Sequence, residues 1–298
     1  SIMSNNKSEV YLTFSHYLPK SISSNYPSIV GVSNLAPFSP EAWSAESLKS
    51  KLRLFMLRKT ILSSCRRATR VLALSNTCKE ILTANGIDGK KIIVASNGVS
   101  DFWELSSPED FREELGIDMP YILYVSHFYF YKNFETLITA YKKLDAKLRE
   151  KNKLVLVGSP LDKACYNETL ALINRLQLNR DVIIFTGLSK DKLRCLYQNT
   201  ELFIFASLIE NSPNILLEAM KSGSPILTTN LQPMPEFCGN SADYFSGLDT
   251  QELTSKISLL LNNLEKRNAM KIKSRLRAKN FTWDDLSKKI IKEVRSIN

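Results

Sequence analysis

The chain has 298 residues, 44% apolar and 23% charged, with a formal charge of +10. That length fits two domains of ordinary size, and no apolar run approaches the roughly 18 residues of a membrane-spanning helix. Five scattered cysteines without a C-x-x-C pair argue against a disulfide framework, and two histidines, His16 and His127, make a His/Cys metal site a poor expectation. The start, Ser1-Ile2-Met3-Ser4, has neither the basic nor the apolar part of a signal peptide, so the expected compartment is a reducing cytosol.

In the first hundred residues the β-rich runs are Val10 to Phe14, Ile29 to Val32, Val71 to Leu74 and Ile92 to Ala95. Between Glu46 and Glu80 no acidic residue occurs, while nine lysines and arginines do. Leu52, Phe55, Met56, Leu57 and Leu62 interleave with them at helical spacing, which predicts a basic amphipathic helix over residues 47–70. Such a helix is either a solvated face or a surface for an anionic membrane. Asn97 to Asp101 has turn composition and marks the crossing between domains.

From Tyr121 onward the alternation is regular. Apolar runs at Tyr121 to Val125, Leu154 to Val157, Val182 to Phe185, Leu202 to Ala206, Pro225 to Thr228 and Ala242 to Phe245 read as strands. Helix-period stretches at Phe134 to Leu148, Glu168 to Leu176, Asp191 to Tyr197, Pro213 to Met220 and Gln251 to Leu264 lie between them. Alternation of this kind implies right-handed βαβ units and a parallel sheet covered on both faces. The expected fold is therefore α/β, with two Rossmann-like domains. Residues 1–105 form an incomplete first domain, because nothing before Val10 supplies an opening strand and Gly-rich turn. Residues 106–280 form a complete second domain.

Two stretches carry chemistry. In Glu210-Asn-Ser-Pro-Asn-Ile-Leu-Leu-Glu218, Ser212 is placed to cap a helix whose first residue is Pro213. The start of that helix, at the carboxyl ends of the strands, suits a diphosphate. Glu210 and Glu218 can bracket a ligand there and accept from sugar and ribose hydroxyls. In Tyr124-Val-Ser-His-Phe-Tyr-Phe-Tyr-Lys-Asn133, Lys132 sits over the same strand ends as a phosphate partner, or is a solvated lysine; His127 is a second partner or a structural histidine.

Taken in order, Tyr-Val-Ser-His…Tyr-Lys-Asn, Phe-Thr-Gly187, Glu210-x7-Glu218-Ala-Met, Gly223-Ser-Pro-Ile and Pro235-Glu236 resemble family 4 of the retaining glycosyltransferases, of GT-B fold. The likeness extends to Ser33-Asn34-Leu-Ala-Pro-Phe38, Val71-Leu-Ala-Leu-Ser75, Ser96-Asn97-Gly98-Val99 and Phe281-Thr-Trp283, and so spans nearly the whole chain. It implies that Glu210 contacts the donor sugar, Glu218 the ribose and Lys132 the diphosphate. His127 stands where members of the family usually carry arginine. Backbone groups of Asn211, Ser212, Pro213 and Asn214 complete the cradle, and a loop from Leu231 to Glu236 closes over base and ribose. Asn34 stands near the acceptor and the anomeric carbon, or forms a plain Asx turn. Residues 281–298 form a helix packing back on the first domain, which lacks the family's opening βα units.

The resemblance further implies front-face transfer from a nucleotide-diphosphate sugar to a saccharide or lipid-linked acceptor in cell-surface polysaccharide synthesis. No metal or cofactor is needed, and the expected place is the cytoplasm, peripheral at the inner face of the membrane. A non-catalytic nucleotide-binding remnant of the family is the chief rival. A sugar-nucleotide epimerase would need acid/base residues not seen here. A nucleic-acid binder would account for the charge but not for the two glutamates, so no nucleic-acid partner is expected.

Overall fold

The computed structural model describes residues 9–40, 43 and 48–297. Ser1 to Ser4 and Ser47, where the basic helix was expected to start, lie outside the described residues, as does the side chain of Lys49. The chain divides into two compact units, one of residues 1–98, 209–212 and 281–298, the other of residues 99–208 and 213–280.

The first unit holds a parallel sheet, β1 (Tyr11–Thr13), β2 (Ser28–Val32), β3 (Arg70–Ala73) and β4 (Ile92–Val94), in the order β1-β2-β3-β4. Alternate strand residues feed two cores, as period-2 side chains in a doubly covered sheet must. Val30, Val32, Val71 and Ala73 pack with Ile61 and Cys65 of α2 (Leu48–Arg67), Cys78 and Leu82 of α3 (Asn76–Ala84), and Ile22 of the short α1 (Lys20–Asn25). Ile29, Leu72 and Leu74 face Leu286, Ile290 and Val294 of the C-terminal helix α12 (Trp283–Ile297). A Cβ on Gly98 would stand 2.0 Å from the Trp283 nitrogen, so only glycine admits the start of that helix.

The second unit is a six-stranded parallel sheet of β5 (Tyr121–Val125), β6 (Lys153–Val157), β7 (Val182–Phe185), β8 (Leu202–Phe205), β9 (Ile226–Thr229) and β10 (Ala242–Phe245). Its order is β10-β9-β8-β5-β6-β7. The winding direction therefore reverses between β5 and β8, the crevice where open α/β sheets bind ligands.

Its helices are α4 (Phe134–Lys142), α5 (Ala146–Lys151), α6 (Lys163–Arg175), α7 (Lys190–Asn199), α8 (Asn214–Ser222), α9 (Met234–Cys238), α10 (Thr250–Leu261) and α11 (Leu264–Ala278). Three of these differ from expectation. The stretch Phe134 to Leu148 is two helices, because Asp145 accepts from the Lys147 N–H and caps a new start. The helix expected from Glu168 begins at Lys163, capped by Asp162. The one expected to reach Leu264 stops at Leu261, and α11 follows it. All five cysteines are free and buried. Among the described residues no helix is long and apolar enough to cross a membrane.

Candidate nucleotide-sugar site

The segment leaving β5 is built to hold a lysine. The Tyr124 hydroxyl donates to the Lys132 carbonyl at 2.6 Å, and a single 3-10 turn, Phe130–Lys132, sets the side chain. Asn133 adopts the left-handed conformation (φ 60°, ψ 40°), which asparagine tolerates better than most residues. Its amide donates to the Ala206 carbonyl at the exit of β8 (3.3 Å) and to the Gly247 carbonyl (2.7 Å). The Leu208 N–H donates to the Tyr131 carbonyl at 2.9 Å, so the Lys132 turn is stitched to β8 across the switch point. Lys132 is only 8% exposed, with its ammonium 5.9 Å from the Phe205 ring centroid and 5.1 Å from that of Tyr131. A lysine is seldom buried without an anionic or aromatic partner, and this one is aromatic-caged rather than solvated.

His127 adjoins it. The imidazole is exposed, and its Nδ1 accepts a long 3.4 Å bond from the Ser159 N–H. Partial desolvation against the β5 exit first, and then the Lys132 charge, lower its pKa below the ordinary 6.5, so it is neutral at physiological pH. The Ser126 hydroxyl, also at the exit of β5, is buried without a hydrogen-bond partner.

The connection from β8 to α8 corrects one expectation. Ser212 does not cap the helix; α8 begins at Asn214, with Pro213 in the cap position and no side-chain cap. Ser212 instead accepts from the Asn97 N–H at 3.1 Å, because the segment 209–212 belongs to the first unit. Asn211 is likewise committed there. Its amide donates to the Val32 carbonyl (2.7 Å) and its oxygen accepts from the Ser75 hydroxyl (3.2 Å), so the side chain is anchored within the first unit. Glu210 is half-buried on the same connection. The first turn of α8 has no side-chain cap and carries the positive end of a helix dipole.

Glu218 lies one turn on, half-buried. Burial is the main cause that pushes its carboxyl up to about 7, opposed by a hydrogen bond from Tyr197 and by the charge of Lys190. Glu236, expected on a loop, lies in the short helix α9, where its carbonyl accepts from Arg277 at 2.8 Å; the proline-containing turn at Gln232-Pro233 ends at that helix.

In the first unit Asn34 follows β2, and its oxygen accepts from the Ala36 N–H at 2.9 Å, an Asx turn. One residue there escaped the sequence reading. His16 follows the carboxyl end of β1 in the left-handed region (φ 53°), and its Nδ1 is buried without a partner. Strain of that kind collects at functional positions. Thus Lys132, His127 and the exits of β5 and β8 are brought together, with α8 carrying Glu218, whereas Asn34, Asn211 and Ser212 are held by the first unit.

The sequence model of the glycosyl transferases group 1 family matches residues 107–277, more than half of the chain. The chain belongs to that family. Among its relatives, the serotype-specific mannosyltransferase WbdA of Escherichia coli is 26% identical over 238 residues, which are 78% of this chain and 29% of that one. The O-antigen chain mannosyltransferase B of the same organism is 24% identical over 57% of this chain and 44% of its own length. The chain thus spans under a third of WbdA. Among solved structures, HepE of Anabaena in complex with UDP and glucose superposes with a TM-score of 0.77 at 19% identity, over 92% of this chain and 72% of that one. The lipopolysaccharide glycosyltransferase WaaG superposes at 0.71 with 17% identity, over 91% and 74%. These likenesses establish the GT-B fold with its two Rossmann-like domains.

Proposed function

We propose that this chain transfers a hexosyl unit, with retention, from a nucleotide-diphosphate sugar to a saccharide or lipid-linked acceptor in the assembly of a cell-surface polysaccharide. The observation that carries this reading is the aromatic-caged Lys132, stitched to β8 at the switch point of a sheet whose next helix starts without a side-chain cap. A cation held at the exits of the strands and a helix start that follows the neighbouring strand both suit a diphosphate. The mannosyltransferase relatives favour mannose as the sugar.

In this reading Lys132 pairs with the diphosphate and His127 donates to it as a neutral imidazole, with backbone groups of residues 211–214 around it. Glu210 accepts from the sugar hydroxyls, Glu218 from the ribose diol, and Glu236 lies toward the base. The acceptor hydroxyl attacks the anomeric carbon on the face from which the diphosphate leaves. The new glycosidic C–O bond forms, the C–O bond to phosphate breaks, and the hydroxyl proton passes to the leaving phosphate oxygen. The protein positions both substrates and stabilises the leaving charge. Asn34, beyond the carboxyl end of β2, is assigned to the acceptor in this reading. We place the reaction in the cytoplasm, with α2 against the inner face of the membrane.

Calorimetric titration with UDP, GDP and their hexose conjugates tests the donor site. One nucleotide is expected to bind, at least tenfold more weakly in Lys132→Ala; Glu218→Ala should weaken the nucleotide and Glu210→Ala chiefly the sugar conjugate. Binding without turnover of the conjugate in the presence of saccharide acceptors would favour a non-catalytic nucleotide binder. No binding at millimolar nucleotide would dismiss the site altogether.

A further inference from the structure

We infer that Tyr197, locked in place by the segment that opens the second unit, is a positioning residue that fixes the Glu218 carboxylate for the ribose of the donor. This rests on the assignment of Glu218 above and adds a residue whose position within the apolar stripe of α7 conceals it.

Tyr197 is fully buried, and its hydroxyl points at Glu218 Oε2, 3.4 Å away. A buried phenol needs an acceptor, and the carboxylate is the one within reach. The ring itself has no freedom. Trp103 meets it edge-on at 5.6 Å between centroids, and Phe203 of β8 does so from another side at 5.5 Å. The Tyr197 carbonyl accepts from the Ser224 hydroxyl at 2.7 Å, just past the end of α8, so ring and carboxylate share one frame.

Trp103 belongs to a strap that grips the same helix. Lys221 of α8 is nearly buried and pairs with Asp101 at 2.8 Å and Glu104 at 2.7 Å, on either side of the tryptophan. Gln198, next to Tyr197, donates to the carbonyls of Trp103 (3.3 Å) and Leu105 (2.7 Å). Arg194, one turn earlier, covers the Phe102 ring at 4.2 Å and donates to its carbonyl at 3.1 Å. The strap therefore fixes the phenol relative to α8.

The consequence is chemical as well as geometric. A glutamate has three rotatable side-chain bonds, and a half-buried one does not choose a rotamer for itself. With Oε2 taken by the phenol, Oε1 is left to accept from the ligand. The phenol also favours the ionised carboxylate against the burial that opposes it, as does Lys190, the other titratable group facing Glu218.

The test compares a nucleoside diphosphate with its 2′,3′-dideoxy analogue, using GDP and UDP by calorimetry between pH 6 and 8. The parent is expected to prefer the ribonucleotide, and Glu218→Ala to lose that preference. Tyr197→Phe keeps the ring and removes the hydroxyl. Its preference should fall by about fivefold, with dideoxynucleotide affinity unchanged and the pH midpoint of ribonucleotide binding moved upward. Trp103→Leu, which loosens the ring but keeps the hydroxyl, should give a partial loss without that pH shift. A parental preference and pH midpoint in Tyr197→Phe overturns the inference while leaving the donor site standing. A parental preference in Glu218→Ala overturns the assignment of Glu218 and this inference with it.

Discussion

Glu218 couples the stability of the protein to pH in a direction unusual for a carboxylate. Its folded-state pKa, pushed up to about 7, lies above the ordinary 4.5 of an unfolded chain, so the folded state holds the proton more tightly. The stability linked to this group is fully present below pH 4.5 and is lost as the pH rises toward 7. Glu218→Gln removes that loss. Urea unfolding should find the variant more stable than the parent by on the order of 1–3 kcal/mol at pH 8, with the gap closing at pH 4.5. The opposite cost appears in function, since a neutral amide also donates and is a poorer partner for a diol. A second residue-scale prediction concerns His127, whose pKa is lowered by partial desolvation and by Lys132. His127→Arg supplies a permanent bidentate cation, and diphosphate affinity at pH 7.5 should rise by roughly tenfold. In the parent, calorimetry should show affinity rising only as the pH falls below 6.5. Lys132, Glu210 and Glu218 stand out in the sequence because charged side chains interrupt turn and helix-start composition. Tyr197 and His16 do not. The first lies in a helical apolar stripe and reads as core, and the signal of the second is a backbone angle that composition does not carry.

Among the elements, strands of the second unit were legible almost to the residue: the central β5 is a continuous apolar run buried throughout, and β5 and the two edge strands β7 and β10 have the expected bounds. Helices were less legible where polar residues occupy inward positions. In α11 the buried places include Arg267 and Ser274, and Arg267 is neutralised by Glu201 at 2.6 Å while it caps the carbonyls of Leu260 and Leu261. Apolar periodicity cannot reveal such a helix. The cap of α8 was misjudged for a different reason, since the Ser212 hydroxyl has a competing donor at Asn97, distant in sequence. The close approach of the β5 and β6 exits yields a prediction of its own. A Cβ on Gly158 would stand 1.7 Å from the Ser126 carbonyl oxygen, a backbone atom with nowhere to retreat. Gly158→Ala should cost on the order of 3 kcal/mol in urea unfolding and displace Ser126 and His127 together. A stability within about 0.5 kcal/mol of the parent would show that the two exits can part freely.

At the scale of the whole molecule the +10 charge is unevenly spent. Several cations of the basic stretch already have partners in the first unit: Arg58 and Arg66 of α2 on Asn85 and Arg67 on the Leu18 carbonyl, while Arg70, expected to end the helix, instead opens β3 and pairs with Glu293. The outward side of α2 still carries Arg53 and Lys59 beside Leu52 (63% exposed), Phe55 (42%) and Met56 (55%). A face that mixes basic and large apolar side chains suits an anionic bilayer, where each cation contributes about 1 kcal/mol. Sedimentation with anionic vesicles should therefore recover the protein in the pellet at low salt and release it at high salt, with Phe55→Ser/Met56→Ser reducing binding. Equal recovery in the supernatant with neutral and anionic vesicles would leave α2 a solvated face.

The five buried cysteines turn the chain into its own counter of unfolding. Cys65 and Cys78 fall in the first unit, and Cys165, Cys195 and Cys238 in the second. Burial pushes Cys65, Cys165 and Cys238 up to about 12, so the native protein should be silent to a chromogenic disulfide reagent. Each thiol then reacts only when its surroundings open. With the reagent present during a denaturant titration, absorbance resolves whether sulfur is released as two groups and three, or all at once, and so distinguishes stepwise from concerted melting without any introduced label. Donor nucleotide added to the same titration should delay the three thiols of the second unit, and the two of the first will move with them only if the units melt together.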